Sequence, residues 1–164
     1  MMLDFFFYGT LRDEDIRRLV LRRVVRCEKI VPATLAGYRR YAVRGAPYPA
    51  AVRQPGAEID GIVVRGLDAL DAARLSNFEG DDYLAALCPV ALRQDESVEV
   101  GSQEAWVFIA GDRVPLAKTP WSLDAWRVAH KRRFLEIAHR RLSAQGDDKM
   151  AVQERLWRAR LETG

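Results

Sequence analysis

The chain begins with a short apolar segment that ends in a polar turn. Residues 4–8 are mostly apolar, which predicts a buried strand, and Gly9 and Thr10 follow it directly. Asp13 then stands where a helix N-cap is expected, with two acidic residues behind it in the first turn, where the helix dipole favours negative charge. Apolar residues recur at helical spacing over residues 16–24. The pattern predicts a strand, a tight turn and a helix.

The next part of the chain alternates between extended segments and turns. Residues 30–52 are extended and are interrupted by a turn at residues 44–47, after which a short strand resumes at residues 48–52. A second turn is predicted at Pro55-Gly56, and the alternation over residues 58–65 predicts another strand.

A second helix and several further elements are predicted beyond this region. Asp68 is expected to cap a helix that runs to about Phe78, with Asp71 as a weaker capping-box partner three residues later. The later elements are a strand over residues 83–92, a hairpin of residues 98–100 and 104–110 around a Gly101-Ser102 turn, a helical stretch from Trp121, and a last helix over residues 151–161. Strands and helices are therefore mixed, with about six strands and three or four helices.

Size and composition indicate one globular domain. The 164 residues are enough for a single domain with its own core, and 49% of them are hydrophobic and 30% charged. We predict one domain over residues 1–164, with residues 121–164 as a helical C-terminal extension packed on it. Because no apolar stretch is long enough to span a bilayer and the N-terminus lacks a basic signal-peptide region, a cytoplasmic protein is expected.

Neither a disulfide nor a metal site is expected. Cys27 and Cys88 lie far apart without metal-ligand spacing, so we predict two free thiols, at least one of them buried. His130 and His139 both fall in one basic helical segment, so the histidines and cysteines cannot form a metal cluster. The net charge of +3 is modest, and we favour a solvated helix face at residues 130–141 over a nucleic-acid surface.

Two short segments carry candidate chemistry. The strand-to-helix turn at residues 8–11 directs several backbone N–H groups at one place, which suits an anion or a developing oxyanion. Gly9 is expected to let the backbone approach a ligand closely and to permit a positive φ. Glu79 stands beside a glycine just after the second helix. From the residue types alone, an ordinary turn is an equally good interpretation of the first segment, and a surface acid is the better interpretation of Glu79.

Four segments of the chain carry a family resemblance, namely FFFYGTLR, ATLAGYRRYAVRGAPYPAAV, LSNFEGDDY and EAWVFI. In this order they resemble the gamma-glutamylcyclotransferase-like superfamily, in particular its AIG2-like branch. The later PWSLDAW is similar to the trailing helix of that branch, so the resemblance covers about residues 3–126. No single segment is specific to this superfamily, because a YGTL tetrapeptide recurs by chance. The four segments together, in the same order and spacing, are specific.

The resemblance implies an α+β fold, a small closed mixed β-barrel flanked by helices, with a cavity at one end. It also implies intramolecular aminolysis of a γ-glutamyl amide, giving 5-oxoproline and a free amine or amino acid, with no metal and no organic cofactor. The proton acceptor is expected to be Glu79, and Tyr83 is a second-tier candidate that lines the pocket or contacts the glutamyl end. The residues implied to hold the glutamyl end of the substrate are Tyr8, Gly9, Thr10 and Leu11.

This reaction requires few catalytic groups, because the attacking amine and the attacked carbonyl belong to one molecule. Well-oriented intramolecular reactions reach effective molarities of roughly 10⁵–10⁸ M. The remaining tasks are to accept a proton, to hold the substrate folded back and to stabilise the oxyanion. A solvated glutamate with a pKa of about 4.3 is a weak base for an amino group of about 7.7–8.0, so burial near Phe78 has to raise the pKa of Glu79.

Three functions remain open from the sequence. The first is a cofactor-free cyclotransferase, the second is a catalytically inactive module that binds a small acidic metabolite in the same pocket, and the third is a protein that interacts through its basic helix. For the enzyme we expect a small-molecule substrate, no nucleic-acid or membrane partner, and a monomer or homodimer. Asp81 and Asp82 are expected to be solvated, and Tyr38, Tyr41 and Tyr48 are expected to be core or rim aromatics.

Overall fold

Five strands and five helices make up the part of the chain that the structure describes. The structure is a computed structural model and describes residues 2–95 and 97–163. The strands are β1 (Leu3–Phe7), β2 (Ile30–Ala42), β3 (Pro49–Leu67), β4 (Tyr83–Arg93) and β5 (Glu99–Ala110). The helices are α1 (Glu14–Leu21), α2 (Ala69–Glu79), α3 (Leu123–Ala129), α4 (Lys131–Ala144) and α5 (Asp147–Thr163). Short 3-10 turns occupy residues 10–12 and 27–29.

The strands form one mixed sheet in the order β1-β3-β2-β4-β5. Neighbouring strands are antiparallel, except that β1 also pairs with β5 in parallel through Phe5 and Trp106, so the sheet closes on itself. Side chains alternate between the two faces of β1: Phe5 and Phe7 belong to the core shared with the helices, and Phe6 belongs to a second core cluster. The predicted α+β class with a mixed sheet is confirmed.

The number of strands differs from the sequence-based prediction of about six. Pro55-Gly56 does not form a turn but lies inside β3, which runs unbroken for 19 residues. At this point residues 54–57 of β3 lie opposite the single residue Gly37 of β2, so a bulge absorbs the extra residues. Gly37 and Gly56 have φ angles of 82° and 84°, the left-handed region that glycine tolerates. The Pro-Gly pair therefore marks a bend within one strand.

The predicted turn at Gly101-Ser102 is also wrong. Both residues lie inside β5, where Gly101 pairs with Leu92 of β4. The hairpin joins β4, which ends at Arg93, to β5, which begins at Glu99. Glycine and serine are poor strand formers, but a long cross-strand ladder on both sides overrides that local preference.

The helix caps agree with the sequence. The carboxylate of Asp13 accepts hydrogen bonds from the backbone N–H groups of Asp15 at 3.0 Å and Ile16 at 3.3 Å. At α2, Asp68 accepts from the N–H of Asp71 at 2.8 Å, and the Asp71 carboxylate accepts from the N–H of Asp68 at 3.1 Å. Both predicted N-caps, including the capping box, are confirmed.

The C-terminal helices pack on the sheet through two buried tryptophans. Trp126 of α3 and Trp157 of α5 are each only 1% exposed. The ring of Trp157 meets Phe5 edge-on, with the centroids 5.5 Å apart, and Trp106 with the centroids 5.1 Å apart. Its indole N–H donates to the hydroxyl of Ser76 on α2 at 2.8 Å. This contact ties α5 to the helix that carries Glu79.

Asp13 links α1 to the C-terminal helices as well. Its Oδ2 lies 2.9 Å from Nε of Arg127 and 3.0 Å from Nζ of Lys131. Burial alone would raise the pKa of Asp13, but the hydrogen bonds from these two cations lower it below its ordinary value. The helical stretch predicted from Trp121 is divided at His130, which separates α3 from α4.

Two further predictions concern the cysteines and the membrane. Cys27 is exposed and Cys88 is buried, and both are free thiols, as predicted. Among residues 2–95 and 97–163, no helix has the length and apolar character needed to cross a membrane.

Candidate active site

A cavity of about 210 Å³ opens where the end of β1, the end of α2 and one face of α4 meet. It contains all six residues that the sequence singled out: Tyr8, Gly9, Thr10, Leu11, Glu79 and Tyr83. The other lining residues are apolar except for Tyr48 and Arg141. They are Phe6, Phe7, Pro47, Tyr48, Pro49, Phe78, Phe108, Phe134, Ile137, Ala138, Arg141 and Leu142. Asp81 and Asp82 are exposed and do not line the cavity.

The turn after β1 forms one wall. Gly9 precedes the 3-10 turn of residues 10–12, and the first N–H groups of such a turn have no partner within it. The carbonyl groups of the turn are engaged: the carbonyl of Gly9 accepts from the N–H of Arg12 at 3.1 Å, and that of Leu11 accepts from Arg17 Nη1 at 3.1 Å. The turn can therefore offer backbone donors to an anion in the cavity.

Gly9 is required for a different reason from the one that the sequence suggested. Its φ is −119°, so the expected positive φ is wrong. A Cβ at this position would stand 3.0 Å from Cγ and 3.2 Å from Cδ of Pro49, closer than nearly all real Cβ contacts. A side chain at residue 9 would require Pro49 to shift by a few tenths of an ångström, so Gly9 allows the turn to pack closely against β3.

Glu79 is the last residue of α2 and faces the same cavity. Gly80 ends the helix with a φ of 84°, which turns the chain sharply away. Glu79 is half-buried, and burial raises the pKa of its carboxyl to about 8, an effect that the positive charge of Arg141 partly opposes. A carboxylate with such a pKa is a far stronger base than a solvated glutamate. The cavity therefore holds a carboxyl that is basic enough to exchange a proton with a group titrating near pH 8.

Two phenols complete the inner wall. The hydroxyl of Tyr8 donates to the carbonyl of Phe108 at 2.6 Å, and the hydroxyl of Tyr83 donates to the carbonyl of Pro49 at 3.2 Å. Burial, reinforced by the nearby charge of Glu79, raises the pKa of both tyrosines above the ordinary value. Both therefore stay protonated, with their protons engaged by backbone carbonyls.

Helix α4 also contributes to the cavity, which the sequence pattern did not indicate. Arg141 was assigned to a solvated basic face, but it borders the cavity, and its Nη2 donates to the carbonyls of Asn77 at 2.9 Å and Phe78 at 3.0 Å. Phe134 and Ile137 also line the cavity. These two residues are spaced as on one face of a helix, but such spacing does not indicate which surface that face covers.

The comparisons with known proteins agree with this architecture. The family described as "Gamma-glutamyl cyclotransferase, AIG2-like" matches residues 5–128. The chain belongs to this family. Its relatives include Protein AIG2 C of Arabidopsis thaliana, which is 31% identical over 137 residues that span 84% of this chain and 79% of that protein.

Solved structures of other proteins have a similar fold. A solution structure of an Arabidopsis thaliana protein superposes with a TM-score of 0.59 at 27% identity, and it covers 87% of this chain and 82% of that one. A gamma-glutamyl cyclotransferase structure, at 14% identity and a TM-score of 0.50, covers 84% of this chain and 86% of that one. At that identity the second likeness concerns the fold alone.

Proposed function

We propose that this family member is a cofactor-free cyclotransferase that converts a γ-glutamyl amide into 5-oxoproline and a free amine or amino acid. The observation that carries the proposal is the position of Glu79, a carboxyl with a pKa of about 8, in one cavity with the turn at Gly9. Family membership supports a cyclotransferase-type reaction. A small-molecule substrate, a cytoplasmic location and a monomer or homodimer remain predictions.

In the proposed reaction, Glu79 first takes a proton from the α-ammonium of the substrate. The neutral amine then attacks the γ-carbonyl carbon, a C–N bond forms, and the carbonyl oxygen becomes an oxyanion. The intermediate collapses as the original amide C–N bond breaks. Two protons leave the α-nitrogen and two arrive at the leaving nitrogen, so Glu79 can carry them one at a time and ends the cycle ionised. No water, oxidant or reductant is consumed.

The remaining polar groups of the cavity suit the glutamyl end. Gly9, Thr10 and Leu11 line the cavity, and their backbone N–H groups would bind the α-carboxylate or the oxyanion; the loss of one such donor typically costs about 10²–10³ in rate. The oxygen of Tyr83 can accept a hydrogen bond from the α-ammonium, because its own proton points at the carbonyl of Pro49. The apolar walls limit water around the ring closure.

The proposal is tested by incubating the protein with a panel of γ-glutamyl amides and measuring 5-oxoproline and the released amine. The proposal requires equal amounts of both products from at least one substrate. If no member of the panel is turned over but one binds, the protein is instead a binding module for a small acidic metabolite. Strongly salt-dependent binding of a polyanion, lost when Arg132, Arg133 and Arg140 are neutralised, would support an interaction protein.

The raised pKa of Glu79 predicts the pH dependence of the reaction. Glu79 must be ionised and the substrate amine protonated, so kcat/KM should rise roughly 10-fold from pH 6 to pH 7, reach a maximum near pH 8, and fall again at higher pH as the substrate ammonium loses its proton. The charge of Arg141 opposes the rise in the pKa of Glu79, so Arg141→Gln should move the rising part of the pH profile of kcat/KM to higher pH. Steady-state kinetics across pH 5.5–10 measure both effects. A kcat/KM that does not fall between pH 7 and pH 5.5 would contradict the assignment of Glu79 as the base.

A further inference from the structure

One wall of the cavity comes from outside the family-matched region. The match ends at residue 128, whereas α4 begins at Lys131. From this helix, Phe134, Ile137 and Leu142 present apolar side chains to the cavity, and Arg141 presents a guanidinium. The turn follows β1 and Glu79 is the last residue of α2, and both lie within the matched region. The matched region thus contains the groups proposed to bind the glutamyl end, and the side chains of α4 would face the leaving group of the substrate.

Arg141 retains donors after its structural contacts are made. Its Nη2 donates to the carbonyls of Asn77 and Phe78, one and two residues before Glu79. A guanidinium has five N–H donors, and within residues 2–95 and 97–163 the groups on Nε and Nη1 have no hydrogen-bond partner and no carboxylate within ion-pair distance. The N–H groups on Nε and Nη1 therefore remain available to an anion, as single donors, because each paired edge of the guanidinium includes Nη2.

We propose that α4 recognises an apolar amino acid as the leaving group, with its carboxylate on Arg141 and its side chain against Phe134, Ile137 and Leu142. This inference rests on the proposed function and names the substrate class as γ-glutamyl dipeptides of apolar amino acids. In such a substrate the leaving nitrogen must lie near Glu79 to receive its protons. The leaving carboxylate stands two bonds from that nitrogen, which places it in the region of Arg141.

The apolar side of the subsite is open enough to receive a side chain. Ile137 is 50% exposed although it lines the cavity, and Phe134 and Leu142 are partly exposed. A leucine-sized side chain seated there would cover apolar surface, and burying it is favourable by about 25 cal/mol per Å². A charged leaving side chain would lose hydration without a partner, because Arg141 is taken by the carboxylate.

The carboxylate part is tested with two substrates that differ in one group. These are γ-glutamyl-leucine and the γ-glutamyl amide of 3-methylbutylamine, which is leucine without its carboxylate. Wild type is expected to favour the dipeptide by about 10–100-fold in kcat/KM, the range of a charge-assisted hydrogen bond. Arg141→Ala should bring this ratio close to one, and Arg141→Lys should keep part of it. Arg140→Ala is the matched control, because Arg140 is exposed and does not line the cavity.

The ratio separates recognition from a structural role of Arg141. If Arg141 only supported the end of α2, its loss would lower turnover of both substrates equally and leave the ratio unchanged, which would overturn the inference. Comparable turnover of both substrates by wild type would overturn it too, while the proposed function would stand. If no γ-glutamyl compound gave 5-oxoproline, the proposed function and the inference would fail together.

The apolar part has its own comparison. Wild type is expected to favour γ-glutamyl-leucine over γ-glutamyl-glycine by about 10-fold or more, since burial gives about 0.8 kcal/mol per CH₂. Ile137→Ala should reduce this preference, whereas Val128→Ala should not, because Val128 is 91% exposed and does not line the cavity. A preference for glycine in wild type would show that α4 does not seat the side chain.

Discussion

Replacement of Glu79 by glutamine is expected to lower kcat by about 10²–10⁴-fold, the usual contribution of a positioned general base. The amide has nearly the same shape as the carboxyl but cannot accept the substrate proton. Because the size of the side chain is kept, we expect KM to change little. The measurement is steady-state formation of 5-oxoproline from the best γ-glutamyl substrate, with the unfolding transition of the variant recorded beside it.

The matched control for this variant is Asp81→Asn. Asp81 lies two residues away in sequence, but it is exposed and does not line the cavity, so its activity should stay near that of wild type. Loss of activity in both variants would point to a general effect of negative charge at the end of α2. Near wild-type turnover by Glu79→Gln would remove Glu79 from the proton-transfer step.

The largest effect on stability is expected from Trp157→Ala. The Trp157 ring is 1% exposed, packs edge-on against Phe5 and Trp106, and donates its N–H to Ser76. Truncation of a fully buried tryptophan leaves a large cavity and typically costs about 3–5 kcal/mol. Denaturant unfolding monitored by far-UV circular dichroism should therefore show a free energy of unfolding reduced by about that amount.

Val152→Ala is the control on the same helix. Val152 is 46% exposed, so the change should alter the free energy of unfolding by less than about 0.5 kcal/mol. A similarly small effect of Trp157→Ala would mean that α5 is not docked on the sheet in solution. A large effect would establish that the C-terminal helices contribute to the stability of the whole domain.

Local signals in the sequence were enough to predict the starts of the helices. Asp13 and Asp68 cap α1 and α2 through contacts with residues two or three positions away, so the pattern and the contact are close in sequence. Pro55-Gly56 has equally strong local signals for a turn, yet it lies in a strand because long pairing with β2 dominates. Strand pairing depends on distant residues, which a local pattern does not contain.

The residues of the candidate site differ in how far the sequence predicts them. Residue types alone left Glu79 as a surface acid, and only the family resemblance connected it to the turn at Gly9, about 70 residues earlier. The structure brings both to one cavity. Arg141 could not be assigned in this way, because its role depends on how α4 docks. That docking is set by tertiary contacts such as those of Asp13 with Arg127 and Lys131.

The raised pKa of Glu79 also couples folding to proton uptake. In the unfolded chain this carboxyl would titrate near 4.5, whereas in the folded protein it titrates near 8, so the folded state binds its proton more tightly. Its contribution to stability is complete below pH 4.5 and is lost as the pH rises through 8, at no more than about 1.4 kcal/mol per pH unit. The ionised form that the proposed reaction requires is therefore the less stable form of the fold. Between pH 4.5 and about 8, ionisation of this one side chain raises the proposed activity and lowers the stability of the fold.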